Sequence, residues 1–247
     1  MKFTAEKEDL NSLETDKVNE IVYNIESQYY TNEKTVRLEC PSCKCSEYNY
    51  AFKKEVFHYV ECENCNTLYV QNPLVKSNLD EIRNKVNIEI EKNKLVEGII
   101  EKSNENILYN FDLFLNRTFD VRSENINIGY LGNKKKLYDT LISKYNLFSF
   151  NEFNKESKFD LVIINNVLEK DLVPNQILKD VKKSLKKGGY LYLTTRVSDG
   201  IDILTLWEDS NISPIEHVNL LSIEGLKENM LEGFDIQNLS TPGSMDI

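Results

Sequence analysis

Several things are missing from this chain. It has no apolar run near the roughly 18 residues that a membrane-spanning helix needs. Its first segment, MKFTAEKEDLNSLETDK, is polar and acidic, where a secretory signal would be basic and then apolar. Both absences lead to the expectation of a cytoplasmic protein with no membrane contact. Internal repeats and low-complexity linkers are absent too. Basic charge is in deficit: 30 Lys and Arg face 40 Asp and Glu, a net charge of −10. A nucleic-acid binder needs a cationic face against the phosphates. The dense basic runs here are Lys134–Lys136 and Lys182–Lys187, the second on the polar side of a predicted helix. The charge therefore argues against nucleic acid as a partner. Histidine is scarce, with only His58 and His217 to supply an imidazole.

What is present fits a globular protein. With 247 residues, 40% hydrophobic and 28% charged, the chain can bury one core and carry a small appendage. Four regions separate by pattern. Residues 1–35 are charged, with Val18, Ile21, Val22, Ile25 and Tyr29 at helical spacing, so a helix is expected near 14–30. Residues 36–76 hold all five cysteines. Residues 77–118 read as a helical connector, with Leu79, Ile82, Val86, Ile88, Ile90, Leu95, Ile99 and Ile100 set among charges and a break at Gly98 or Ser103.

Residues 119–247 alternate strand and helix, which implies a parallel sheet with helical crossovers. Asn125–Tyr130 reads as a short strand ending at Gly129, Lys134–Tyr145 as a helix and Leu147–Phe150 as a second strand. Phe159–Asn165 (FDLVIIN) is an apolar run suited to a buried parallel strand. Pro174 opens a helix with Ile177, Leu178, Val181 and Leu185 as its stripe. Gly188-Gly189 is expected to end it, before a strand Tyr190–Thr195. Ser222 is an N-cap candidate for a helix running to Leu231, with Gly233 as its stop and Phe234–Leu239 as a last strand.

The cysteines form the sharpest pattern. Cys40-Pro-Ser-Cys43 and Cys62-Glu-Asn-Cys65 are two Cys-x-x-Cys knuckles with residues 44–61 between them. In a reducing compartment such pairs read as metal ligands before disulfides. Four thiolates at this spacing make a closed tetrahedral zinc site, structural and with no open position for catalysis. Tyr48–Phe52 and Val56–Val60 supply a hairpin between the knuckles. The residue after each knuckle tends toward left-handed backbone, which Asn66 suits and Lys44 suits less. Reduced thiols in a small core are the competing reading, and Cys45 reads as a free thiol.

Beyond the knuckles, Cys62–Leu74 (CENCNTLYVQNPL) resembles the end of the zinc ribbon that precedes many bacterial class I S-adenosylmethionine-dependent methyltransferase domains. Phe159–Lys170 (FDLVIINNVLEK) and Leu185–Thr195 (LKKGGYLYLTT) are similar to the fourth strand, the following helix and the glycine turn into the fifth strand of those enzymes. Ile215–Leu226 (IEHVNLLSIEGL), Gly233-Phe234 and Ser240–Ile247 (STPGSMDI) look like later parts of the same family. The resemblance implies an α/β fold: a reduced Rossmann-like class I methyltransferase domain with an N-terminal zinc ribbon and helical connector. It implies structural zinc and S-adenosylmethionine as cofactors, and methyl transfer to a small-molecule or sugar-type acceptor.

The family's first motif runs close to Asp-x-Gly-x-Gly-x-Gly, and this chain has Asn127-Ile-Gly129-Tyr-Leu-Gly132-Asn133 in its place. Asn127, Gly129 and Gly132 are thus the cofactor-loop candidates, and Glu152 is the candidate for the ribose hydroxyls. Residues 133–158 leave room for one helix and one strand before the fourth strand. Asn165, Asn166 and Glu169 follow that strand at its carboxyl end, where open α/β sheets bind ligands; helix capping is their other use. His217 is the candidate general base, against a packed histidine as the alternative. Asp160 and His58 read as structural, and Trp207 and Tyr130 as core or pocket lining. Two functions follow: a working methyltransferase, or a methyltransferase-like scaffold that has lost the cofactor and binds a protein partner. A zinc-ribbon nucleic-acid adaptor is a third, opposed by the charge.

Overall fold

A computed structural model describes residues 17–92, 109, 111–115, 117, 126–132, 146–149 and 158–241. The expected helix Lys134–Tyr145, the break at Gly98 or Ser103, Glu152 and residues 242–247 lie outside them. The chain divides into two units.

One unit holds helix α1 (residues 17–26), a 3-10 turn Ser27–Tyr29, helix α2 (Lys76–Lys92) and a helical stretch at 111–115. In α2, Leu79, Ile82 and Val86 are buried at the spacing of one helical face. Ile88, expected on that stripe, is 51% exposed, because it falls on the opposite side of the turn from Val86. Tyr29 is the polar anchor: its hydroxyl donates to Glu81 Oε1 at 2.7 Å, and Lys85 lies over its ring at 5.0 Å.

The second unit carries two four-stranded sheets. β1 (Tyr48–Lys54) and β2 (Phe57–Cys62) form the expected hairpin, turning at Glu55 with φ 53°. β3 (Leu68–Val70) continues the antiparallel sheet. Asn72 clamps the hairpin turn, accepting from His58 N and donating to Val56 O.

The other sheet is parallel: β4 (Asn127–Gly132), β5 (Asn146–Ser149), β6 (Phe159–Asn165) and β7 (Leu185–Thr194), in the spatial order β5-β4-β6-β7. The chain leaves β4 for β5 on one side and returns to β6 on the other, so the strand order reverses between β4 and β6. Helix α3 (Pro174–Ser184) covers β6, with Leu178 and Val181 packed among Phe159, Val162, Ile164 and Leu168. Each such side chain contributes roughly 1.5–3 kcal/mol on burial.

Three expectations are corrected here. β4 runs on to Gly132, because β6 extends to Asn165 and offers ladder partners to Leu131 and Gly132. α3 ends at Ser184, not at Gly188-Gly189; the glycines lie inside β7, where Leu185 pairs with Phe159 but Tyr190 with Leu161, and the excess residues bulge with Gly188 at φ 78°. Phe234–Leu239 has no regular structure, and Ile236 and Leu239 are exposed there. Ser222 does cap a helical turn, Ile223–Gly225, by accepting from Gly225 N; the helix continues as a π-turn, Leu226–Met230.

After β7 come helix α4 (Ile201–Leu206), a 3-10 turn Trp207–Asp209 and the short strand β8 (Asn219–Leu220). β8 pairs not with the parallel sheet but with β3, Leu68 opposite Leu220 and Tyr69 opposite Asn219. The ribbon sheet is completed by a strand from the far end of the chain.

Candidate metal centre and ligand edge

The two knuckles fold alike. In the first, Lys44 N donates to Cys40 O at 3.1 Å and Cys40 N to Cys45 O at 2.8 Å; in the second, Asn66 N donates to Cys62 O at 3.0 Å and Cys62 N to Thr67 O at 3.0 Å. Both turn residues take left-handed backbone, Lys44 at φ 67° and Asn66 at φ 55°. Cys45 occupies the position equivalent to Thr67, and its sulfur lies against Glu47 O, outside the ligand set.

The sulfurs of Cys40, Cys43, Cys62 and Cys65 all lie within 4.8 Å of one another, with Cys40–Cys65 at 3.6 Å and Cys43–Cys62 at 3.4 Å. A zinc tetrahedron with bonds of about 2.3 Å has sulfur–sulfur edges of roughly 3.8 Å, so the four thiols fit that ion. Taken as thiols alone, they divide by their hydrogen bonds. Cys65 falls to about 4, because Cys40 and then the hydroxyl and amide of Thr67 stabilise its thiolate. Cys40, the other half of that pair, is pushed up by the same sulfur contact and by burial. Desolvation raises Cys62 to about 12. A bound cation would hold all four as thiolates, its charge drawing off their protons.

The knuckles are bonded into the second half of the chain. Ser222 Oγ donates to Cys65 O, and Ser222 N to Thr67 Oγ1 at 3.2 Å. Ser42 Oγ donates to Gly225 O at 2.8 Å, and Asn175 Nδ2 to the carbonyls of Pro41 and Ser42. Gly225 has no room for a side chain: a Cβ there would stand 2.8 Å from Ser222 Oγ and 2.9 Å from Ser42 Oγ and Thr67 Oγ1. Arg37, just before the first knuckle, donates to Val218 O, Asn219 Oδ1 and Leu172 O at 2.7–3.1 Å. Burial lowers it to about 10. Asn219 in turn donates its amide to Leu168 O and Asp171 O and its backbone N–H to Glu169 O. Arg37 and Asn219 thereby fix the turn 166–172 that follows β6. Neither stood out in the sequence, since single polar residues carry no spacing signal.

That turn belongs to the ligand edge. The carboxyl ends of β4 and β6 meet where the strand order reverses, the position at which open α/β sheets bind ligands. Gly132 pairs with Asn165 there. Asn165 is 1% exposed; its Oδ1 accepts from Thr194 Oγ1 at 2.7 Å, and its Nδ2 has no partner among the described residues. Asn166, at φ 51°, takes the second contact of Thr194 Oγ1 and donates its N–H to Thr194 O. Glu169 is 2% exposed, and burial raises its carboxyl to about 7 against a single side-chain donor, Thr195 Oγ1 at 2.9 Å.

The structure brings Gly132, Asn165 and Asn166 together and sets Gly129, Asn127 and His217 elsewhere. Gly129 lies mid-strand, paired with Phe148 on one side and Val162 on the other. Asn127 stands at the amino end of the sheet, its N–H donating to Asp160 Oδ2 at 3.0 Å. His217 is part-buried, with Nδ1 accepting from Ser213 N at 3.1 Å; burial and then Arg196 lower it to about 3, so it stays neutral. Beside it, Lys170 and Glu216 form an ion pair.

Among the described residues no helix is long and apolar enough to cross a membrane. No curated protein matches the chain. Residues 90–241, more than half of it, match the family model described as a methyltransferase domain. With a parallel α/β sheet beneath that match and a four-cysteine cluster ahead of it, the chain belongs to the class I S-adenosylmethionine-dependent methyltransferase family.

Proposed function

We propose that the protein transfers a methyl group from S-adenosylmethionine to a small-molecule or sugar-type acceptor, with zinc held by Cys40, Cys43, Cys62 and Cys65 as a structural ion. The observation that supports the cofactor reading is Asn165 Nδ2, a buried donor without a partner among the described residues at the carboxyl end of β6. Buried polar groups are nearly always satisfied, so an orphan at a ligand-binding edge asks for an acceptor from a ligand. At Gly132 a Cβ would stand 2.6 Å from the Tyr130 hydroxyl and 3.1 Å from Asn165 O, so glycine there lets the Tyr130 ring lie against the strand end.

The bound cofactor supplies an electrophilic methyl on a sulfonium. The chain's own residues orient and dehydrate. Thr194 fixes the Asn165 amide, and Thr195 fixes Glu169. Glu169, buried and bonded to Thr195, holds its proton more firmly than an ordinary carboxyl and supports the turn after β6. His217, neutral and with Nδ1 engaged, supports the loop 213–217 in our reading.

One observation favours the rival, a cofactor-free scaffold: the residues aligned with the family's glycine motif, Asn127 and Gly129, are not at the ligand edge. Calorimetry with S-adenosylmethionine and S-adenosylhomocysteine decides between the two. Binding is expected, weakened about tenfold or more by Asn165→Ala, the scale of one buried hydrogen bond. No heat at millimolar ligand would establish the scaffold instead.

A further inference from the structure

Past β7 the chain builds a groove that none of the residues above explains. It encloses about 210 Å³. Glu61, Asn66 and Leu68 of the ribbon form one side; Ser198, Asp199 and Trp207 from the segment after β7 form the other. That segment leaves the ligand edge at Thr195, whose hydroxyl is bonded to Glu169.

Trp207 is the only tryptophan in the chain and is 42% exposed. Its backbone sits at φ 46°, ψ −115°. Bulky residues seldom take positive φ, and such strain persists where the surroundings over-determine it, typically at ligand sites. The surroundings here are specific. Lys54 of β1 donates to Glu208 O at 2.9 Å and to Ser210 O at 2.5 Å. Ser210 donates from both N and Oγ to Trp207 O. Phe52 meets the indole edge-on at 6.0 Å. The ribbon hairpin thus holds the turn in place without covering the indole.

Next to this aromatic surface stand two carboxylates, Glu61 and Asp199, with Asn66 and Ser198; among the described residues no basic side chain lines the groove. Asp199 uses Oδ2 on the amide of Ile223, at 2.6 Å, which fixes its orientation. A flat apolar face beside hydrogen-bond acceptors of negative charge suits a ring with aliphatic faces and donor groups on its edge. The same charge repels an anionic ligand.

We propose that this groove is the acceptor subsite, taking a neutral or cationic hydroxylated ring, a pyranoside or amino-pyranoside, stacked on Trp207 with its edge groups on Glu61 and Asp199. The proposal rests on the methyl-transfer reading above. It makes the ribbon a wall of the acceptor site and Trp207 the residue that senses occupancy.

The single tryptophan gives a direct test on the full chain. Tryptophan emission is followed during titration with methyl glucosaminide, methyl glucoside and glucose 6-phosphate. A saturable change is expected with the first two, tighter for the amino sugar, and none with the phosphate. Glu61→Gln should narrow the preference for the amino sugar several-fold. By calorimetry Trp207→Ala should lose about tenfold or more in glycoside affinity, with S-adenosylmethionine binding unchanged. Unchanged emission with both glycosides, phosphate binding as well as the amino sugar, or equal glycoside affinity in Trp207→Ala would overturn the proposal. Cofactor binding without glycoside binding would sink the groove alone. Glycoside binding without cofactor binding would sustain the groove as a ligand site and overturn methyl transfer.

Discussion

At the knuckles, residue type and position agree at every place but Lys44; at the carboxyl edge of the parallel sheet they agree only in part. Both knuckles close with the same pair of backbone hydrogen bonds, and both place their turn residue at positive φ. At the sheet edge, Gly132, Asn165 and Asn166 meet, while Asn127 and Gly129 sit at the other end and in the middle of β4. The difference lies in how each site is encoded. A knuckle is local: four residues determine the chelate, and spacing alone reports it. The ligand edge depends on where two strands stop, which is set by pairing between β4 and β6 across a long stretch of sequence. A motif can slip against that register without leaving a trace in its own residues.

The two regions are also physically joined, through β3–β8 pairing, Ser222, Gly225, Arg37 and Asn219, and this union can be broken in steps. The largest effect is expected from Cys65→Ser. Structural zinc in small modules contributes on the order of 10 kcal/mol or more to folding, so this variant should lose its metal by elemental analysis. Its loss of fold should extend to β8.

Next comes pH. Glu169 is raised to about 7 from an ordinary 4.5, so between those values the folded state keeps a proton that the unfolded chain releases. Stability from this group is therefore present at low pH and lost as pH rises through 7, by roughly 3 kcal/mol. His217 acts in the opposite direction. It is lowered to about 3 from 6.5, so the unfolded chain binds the proton first, and stability is lost as pH falls from 6.5 toward 3. The two slopes should offset each other between about 4.5 and 6.5. Glu169→Gln should leave only the His217 slope, measured as urea midpoints from pH 4 to 8. An unchanged profile would mean that Glu169 ionises normally.

Gly225→Ala should destabilise by about 1–3 kcal/mol, since a methyl would enter the triangle of Ser42, Thr67 and Ser222 hydroxyls. A thermal midpoint equal to the parent's would show the junction to be loose. Arg37→Lys is expected to cost about 1 kcal/mol, because an ammonium cannot span the three acceptors that the guanidinium reaches.

Much of this was legible in advance. The hairpin, the α3 stripe, the β6 run and the Ser222 cap all follow from local pattern. Cys45 was set apart from the ligands, and its equivalence to Thr67 gives the reason. What was not legible depended on tertiary partners. Gly188-Gly189 looked like a helix stop but serves a strand bulge, because β6 and β7 pair out of step there. Phe234–Leu239 has strand composition, yet it pairs with no described strand. Trp207 read as core or pocket lining, and its backbone and exposure are what single it out. The chain position of β8, some 150 residues from its partner β3, gave no hint of their pairing.

The central claim is that the metal-held ribbon and the ligand edge are one cooperative structure. Native-state hydrogen exchange with and without a chelator tests it most directly. If the claim holds, chelation removes protection from the knuckles and, together with them, from the amides of Asn219, Ser222 and Leu226 and from the Thr194-bonded N–H of Asn166. If protection falls only within residues 36–75 while 218–230 and the end of β6 keep theirs, the ribbon is an independent module and the claim is wrong.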